Sequence, residues 1–150
     1  MTALLTIGYE GTTFAHVLDA LQAADARLLI DVRAVAASRK AGFSKRLLAA
    51  GLAEAGIGYV HLQKLGTPKP GRDAARRGDV ATMHRLFRAH MQQDEAQDEL
   101  AQAKSFAAGT RACLLCFERD HRACHRALVA EMITVQTGQP IVHLEAMQPG

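Results

Sequence analysis

Short apolar runs that break abruptly into polar residues, each followed by a stretch of helical periodicity, constrain this chain more than any other feature. Leu4-Leu-Thr-Ile7 reads as a buried strand closed by Gly8-Tyr9-Glu10-Gly11. Thr12 or Thr13 can then cap a helix with Phe14, Val17, Leu18 and Leu21 at i, i+3, i+4 and i+7. The pattern repeats with a strand over 27–32, a helix opened by Ser44 that carries Leu47, Leu48 and Leu52, and a third strand over 57–62. Residues 63–78, with two prolines, three glycines and five Lys/Arg, read as a long exposed loop. Asp79 caps a helix bearing Met83, Leu86, Phe87 and His90, and an acidic helix from about Asp94 ends at Gly109. A strand from Ala112, a helix holding Leu128, Val129, Met132 and Ile133, and a last strand over 141–144 complete the order.

Strands that alternate with helices give a parallel sheet, because parallel neighbours need crossover connections. The expected fold is α/β, a three-layer sandwich with a mainly parallel sheet of about five strands covered by helices on both faces. No linker divides residues 1–150, so one domain is expected. Ligands of such sheets sit at the carboxyl ends of the strands. Gly8-Tyr9, Asp31–Arg33, His61 and Cys116–Glu118 should therefore converge on one edge.

Composition narrows the function classes. Hydrophobic content of 49% with 22% charged residues is that of a globular chain. No apolar run reaches membrane-spanning length and no secretory leader pattern opens the chain, so a cytoplasmic protein without a membrane partner is expected. Three cysteines do not make a disulfide framework, and the thiols are expected to rest reduced. Residues 1–93 hold thirteen Lys/Arg against seven Asp/Glu. That bias suits an anionic small molecule or nucleic acid, though an ordinary solvated surface is the commoner meaning. Two Tyr, five Phe and no Trp leave little for base stacking.

Reactive side chains concentrate between 111 and 126, which holds all three cysteines, two histidines and four arginines. Cys113-x-x-Cys116 followed by Cys124-His125 resembles a zinc signature. Strand alternation points Cys113 and Cys116 to opposite faces, however, so no metal and no cofactor are expected, and Cys113 reads as a core thiol. Cys116 and Glu118 share a face. Cys124, near a helix start and beside Arg122 and Arg126, reads as a low-pKa thiol with Cys116 as its resolving partner, or else both simply fill the core. Arg33, Arg39 and Arg126 can form an anion pocket. The structural alternative pairs Arg33 with Glu118 and Arg126 with Asp31. His61 and His143 sit in apolar strands, where a hydrogen-bonded core histidine is the commoner case. His125, next to Cys124 in the polar turn, has the better claim to chemistry.

Four motifs occur in one order: Thr6-Ile-Gly-Tyr9; Ile30-Asp-Val-Arg33 with Ser38-Arg39; Gly56-Ile-Gly-Tyr-Val-His61 with Leu65-Gly66; and Cys116-x-Glu118 with Cys124-His-Arg126. Together they resemble the family named as domain of unknown function number 488, over nearly the whole chain. The resemblance implies a compact cytoplasmic α/β protein whose motif residues share one polar site, and it brings no catalytic assignment. Family prolines are replaced here by Ala36, Ala41 and His121, which loosens the loop carrying Arg39 and adds a titratable group beside Asp120. A weaker, fold-level likeness to rhodanese-type sulfurtransferases would place the reactive thiol at Cys116.

The function expected from these readings is binding or processing of an anionic, phosphate-bearing ligand in one pocket at the carboxyl edge. Cys124, Glu118 and Asp31 are the catalytic candidates. Gly8, Tyr9, Arg33, Ser38, Arg39, His61, Cys116, His125 and Arg126 are the binding candidates. The alternatives are a nucleic-acid-associated module using the basic stretches 39–46 and 64–77, and a thiol redox or rhodanese-like sulfur-transfer protein.

Overall fold

A computed structural model describes residues 2–147. Five strands, β1 (Leu4–Gly8), β2 (Leu28–Asp31), β3 (Gly58–His61), β4 (Ala112–Cys116) and β5 (Ile141–His143), form one sheet in the order β3-β2-β4-β1-β5. Every pairing is parallel. The expected three-layer α/β sandwich is the fold.

Six helices cover the sheet: α1 (Phe14–Ala23), α2 (Lys45–Glu54), α3 (Lys69–Arg76), α4 (Val80–His90), α5 (Asp94–Gly109) and α6 (Arg126–Thr134). Strand alternation sorts the core into two halves. Leu5, Ile7, Leu29, Cys113 and Leu115 pack with Val17 and Leu21 of α1 and Leu48 and Leu52 of α2. Leu4, Ile30, Leu114 and Cys116 pack on the other face with Phe87, Leu100, Ala103, Val129 and Ile133 from α4, α5 and α6. Cys113 and Cys116 therefore lie on opposite sides of the sheet, as their spacing requires. No helix among the described residues is long and apolar enough to cross a membrane.

Two of the capping signals act where the sequence puts them, while Ser44 stands at the N-cap of α2 without a side-chain cap bond. Thr13 caps α1 by accepting from the His16 amide, and Asp79 caps α4 by accepting from Thr82. The stretch 63–78 departs from expectation. It folds into a 3-10 turn (Gln63–Leu65) and then α3, not an exposed loop. Its prolines, at 68 and 70, stand at the N-cap and in the first turn, where a missing N–H costs no helical hydrogen bond. Lys69 and Arg76 both pair with Asp73 along the helix. Gly71 is buried, and a Cβ there would press into Thr67 and meet Leu86 of α4, so glycine lets α3 lie close on its neighbour.

β4 enters the sheet between β1 and β2 although it follows both in sequence. The chain reverses direction across the sheet there, which opens a crevice beyond the carboxyl ends of β1, β2 and β4. Gly8 sits in register with Cys116 at that edge. A Cβ on Gly8 would overlap the Glu118 carbonyl and crowd the Arg126 guanidinium. Gly8→Ala should therefore lower stability by about 2 kcal/mol in denaturant unfolding, the usual scale of overpacking. Gly109→Ala, with nothing near its Cβ, should stay within about 0.5 kcal/mol of the parent.

Candidate functional site

The residues that end β1, β2, β3 and β4 meet at one edge, as their placement predicts. Asp31 is fully buried and receives Arg33 Nε at 2.9 Å and Arg33 Nη2 at 2.7 Å, while Tyr59 Oη donates to it at 2.6 Å. Arg33 Nη1 donates to the Phe43 carbonyl and to Tyr9 Oη, and the Tyr9 ring stacks on Phe43. Burial alone would weaken the Arg33 guanidinium's hold on its proton, but Asp31 outweighs it and the pKa rises. Burial and the bond to Asp31 both push the Tyr59 hydroxyl up. Asp31 and Arg33 are thus a self-neutralised frame, and the alternative pairing of Arg33 with Glu118 does not form. His61 Nε2 donates to the Arg33 carbonyl at 2.7 Å and braces the same corner.

Arg126 is also fully buried, but not against Asp31. Its Nη1 donates to the Glu118 carbonyl, Nη2 to the Arg119 carbonyl at 3.2 Å, and Nε to Thr6 Oγ1 at 3.1 Å. Thr6 Oγ1 in turn lies 2.6 Å from His143 Nδ1, and the His143 ring stacks on His121. Thr6 Oγ1, with two lone pairs and one proton, thus joins the Arg126 guanidinium to the His143 ring. Arg126 ties a turn together and does not face an anion.

That turn carries the sulfur chemistry. Asp120 caps a 3-10 turn over His121–Ala123, and the chain returns so that Cys124 lies under Cys116. The two are joined as a disulfide, which corrects the expectation of three reduced thiols. The odd cysteine is Cys113, unpaired and fully buried, with its thiol pushed well up by desolvation. Cys124 precedes α6 by two residues and has no exposed surface. His125 Nε2 donates to the Val32 carbonyl at 2.8 Å. Its Nδ1 lone pair is therefore turned toward both sulfurs, 3.6 Å from Cys116 Sγ and 3.8 Å from Cys124 Sγ. Burial pushes His125 down to about 4, further than the Val32 bond lifts it, so the ring is neutral near neutral pH. Glu118 Oε2 stands 3.0 Å from Cys116 Sγ, and burial raises its carboxyl pKa.

A cavity of about 120 Å³ opens beside this group. Cys116, Glu118, His125, Tyr9 and Arg33 line it, whereas Cys124 does not. Of the other sequence candidates, Ser38 accepts from the Lys40 amide in a local turn and Arg39 is exposed, so neither reaches the cavity. Gly8 contributes by lacking a side chain. Sequence reasoning misses the opposite wall: Thr67, then Arg72 and Ala75 of α3, and Met83 of α4. Arg72 Nη1 donates to the Thr67 carbonyl at 2.9 Å. The signal for that wall is faint because the buried positions of α3 are Gly71 and Ala74, too small to mark a hydrophobic face.

Among known proteins, the family described as domain of unknown function DUF488 matches residues 13–133. No curated protein and no solved structure matches the chain.

Two outcomes check this geometry. Arg126→Leu leaves two carbonyls and the Thr6 hydroxyl without their donor, and should cost about 3 kcal/mol by denaturant unfolding, against roughly 0.5 kcal/mol or less for Arg39→Ala. His125 and His143 are both held near 4 by burial, with the His121 and Arg126 charges adding to the effect on His143, against 6.5 for a free histidine. The unfolded chain therefore binds more protons between those values. Stability should be full above about pH 6.5 and fall as pH drops toward about 4. Thermal melts of His143→Gln should lose less over that window than the parent.

Proposed function

The chain belongs to the domain of unknown function DUF488 family, a membership that brings no reaction with it, and from its site we propose that it carries out thiol–disulfide exchange on a small acidic ligand. The observation that carries this reading is the asymmetry of one sulfur pair: Cys116 lines the cavity, Cys124 is sealed beneath it, and His125 Nδ1 is within 3.8 Å of both. A structural staple needs no base and no cavity. A cycling pair needs both.

In the reduced state Cys116 gives its thiol proton to His125 Nδ1 and attacks one sulfur of a substrate disulfide. The substrate S–S bond breaks, a mixed disulfide forms on Cys116, and the departing thiolate takes the proton back from His125. Cys124 then loses its proton to the same nitrogen and attacks Cys116 Sγ. The internal disulfide forms and the second substrate thiolate leaves protonated. Two protein thiols are oxidised and one substrate disulfide is reduced, so electrons and protons balance without another reagent. Burial keeps the His125 ring neutral, so Nδ1 is free to accept a proton, and the same burial makes it a weak base that gives the proton up again. Burial raises the Glu118 carboxyl pKa, and its Oε2, 3.0 Å from Cys116 Sγ, flanks the sulfur at which the substrate bond breaks. Asp31 serves only to orient Arg33.

These roles exchange those read from the sequence, with Cys116 as the attacking thiol and Cys124 as the resolving one. The anionic-ligand reading survives through a different residue. Arg72 flanks the cavity, and with Arg33 paired to Asp31 it is the lining cation that has no carboxylate partner among the described residues. The nucleic-acid reading gains no such support, because Lys64 pairs with Glu95 and both Lys69 and Arg76 pair with Asp73. A cytoplasmic setting fits a pair that cycles, since reducing compartments keep mainly transient or sensing disulfides.

Cys124→Ser should accumulate a mixed disulfide on Cys116 when given an aromatic disulfide, read by peptide mass. Adducts mapped only to Cys113, or none at all, would sink the assignment. The parent should reduce a carboxylate-bearing disulfide faster than a neutral one of the same size, and Arg72→Ala should remove about tenfold of that preference, the worth of roughly 1.4 kcal/mol. An unchanged preference would detach Arg72 from ligand binding.

A further inference from the structure

We propose that the reduced Cys116 and Cys124 thiolates, together with His125 Nδ1, bind a zinc ion, so that metal and disulfide are alternative occupants of one site. The proposal rests on the reading above only in requiring that the pair open to two thiols.

Three features of the molecule support it. The first is distance. Two ligands on tetrahedral zinc, a thiolate and an imidazole nitrogen at their ordinary bond lengths, stand about 3.6 Å apart. His125 Nδ1 lies 3.6 Å from one sulfur and 3.8 Å from the other, and the three ligand atoms fall within 4.8 Å of one another. Only the sulfur–sulfur separation must widen, to about 3.8 Å on the same bond lengths, and breaking the disulfide permits that. The second is orientation. Metal-binding histidines usually give their other N–H to a carbonyl or carboxylate, which fixes the tautomer and aims the lone pair. His125 does this through Nε2 to the Val32 carbonyl on β2's end, a group held by the sheet. The third is charge. Two thiolates and a neutral imidazole balance a divalent cation, so the buried site carries no net charge that the core would have to accommodate.

The ligand set also selects the metal. Thiolate and imidazole in a tetrahedral arrangement favour zinc over magnesium, calcium or manganese, which prefer oxygen. Cys113 takes no part, since it faces the other half of the core. Cys116 is the ligand at the cavity wall, so the fourth position faces the cavity and falls to a water molecule, which keeps the site neutral. A closed disulfide removes both sulfur ligands at once. Zinc in turn blocks the attack of Cys116 on any substrate, and the metal thereby regulates the exchange reaction.

The test uses the full chain, reduced with a phosphine and desalted without oxygen, then titrated with cobalt(II) as a spectroscopic stand-in and with zinc. The expected result is a thiolate-to-cobalt charge-transfer band with tetrahedral d–d absorption, saturating at a single ion per chain and displaced by zinc. Cys113→Ala should keep the band, and Cys124→Ser and His125→Ala should lose or alter it. Should those variants fold poorly, zinc X-ray absorption of the parent should show two sulfur neighbours at about 2.3 Å and nitrogen at about 2.0–2.1 Å. A shell of oxygen and nitrogen alone, or a cobalt spectrum unmoved by the loss of His125, overturns the proposal. Thiol titration run alongside keeps the two readings apart. A pair that opens and closes but binds no cobalt removes the zinc site and leaves the exchange chemistry standing. A pair that binds cobalt but no oxidant can close does the reverse.

Discussion

A guanidinium with no exposed surface holds the sulfur site together. Arg126 reaches back from the first residue of α6 and spends its donors on the Glu118 and Arg119 carbonyls and on Thr6 of β1. No carboxylate pairs with it among the described residues. Burial lowers its pKa, and aligned carbonyl dipoles supply the compensation that an ion pair would otherwise give. The consequence is geometric. Pinning 118 and 119 to β1 forces the chain between β4 and α6 to turn tightly, and that turn sets Cys124 beneath Cys116. Gly8 is the matching concession, a position where any side chain would stand in the way.

The cavity depends on a second, separate frame. Asp31 and Arg33 neutralise one another, Tyr59 closes the pair from β3, and Tyr9 carries it across to β1. Because that frame satisfies its own charges, it shapes the cavity without supplying much field. Arg72 on α3 brings a cation to the cavity, which Cys116 also lines with a sulfur flanked by a carboxyl and a neutral imidazole. The division gives the site a floor whose charges are satisfied and a wall that carries a cation. Gly66 belongs to the same construction, since a Cβ there would strike the Ala34 backbone and push the 62–68 segment off the loop after β2.

Much of this was legible in the chain and some of it was not, for physical reasons. Strand and helix periods give the element order, and the rule for open parallel sheets places Gly8, Asp31, His61 and Cys116 on one edge. Alternation also separated Cys113 from Cys116 correctly. The same rule, applied at β2, groups Asp31 with Arg33 two residues on, a pairing that is local and therefore cheap to form. The longer-range pairs weighed in its place do not occur. α3 was hidden because its prolines and glycines, which usually break helices, fall where a helix tolerates them, and its buried face is made of Gly71 and Ala74. Cys116 and Cys124 are legible as a nucleophile and its resolving partner, but not that the pair stands closed, because an eight-residue separation says nothing about closure. Closure depends on where Arg126 ties the turn, and that is a tertiary fact.

The account stands on one claim, that Cys116 and Cys124 form a reversible couple while Cys113 stays out of it. Equilibrating the protein in buffers of graded thiol to disulfide ratio, quenching in acid, and counting alkylated cysteines by mass after unfolding tests that claim most directly. The account predicts a single two-electron transition between a species alkylated at Cys113 alone and one alkylated at all three cysteines. Alkylation of all three throughout the range, or of Cys113 alone throughout, would contradict it.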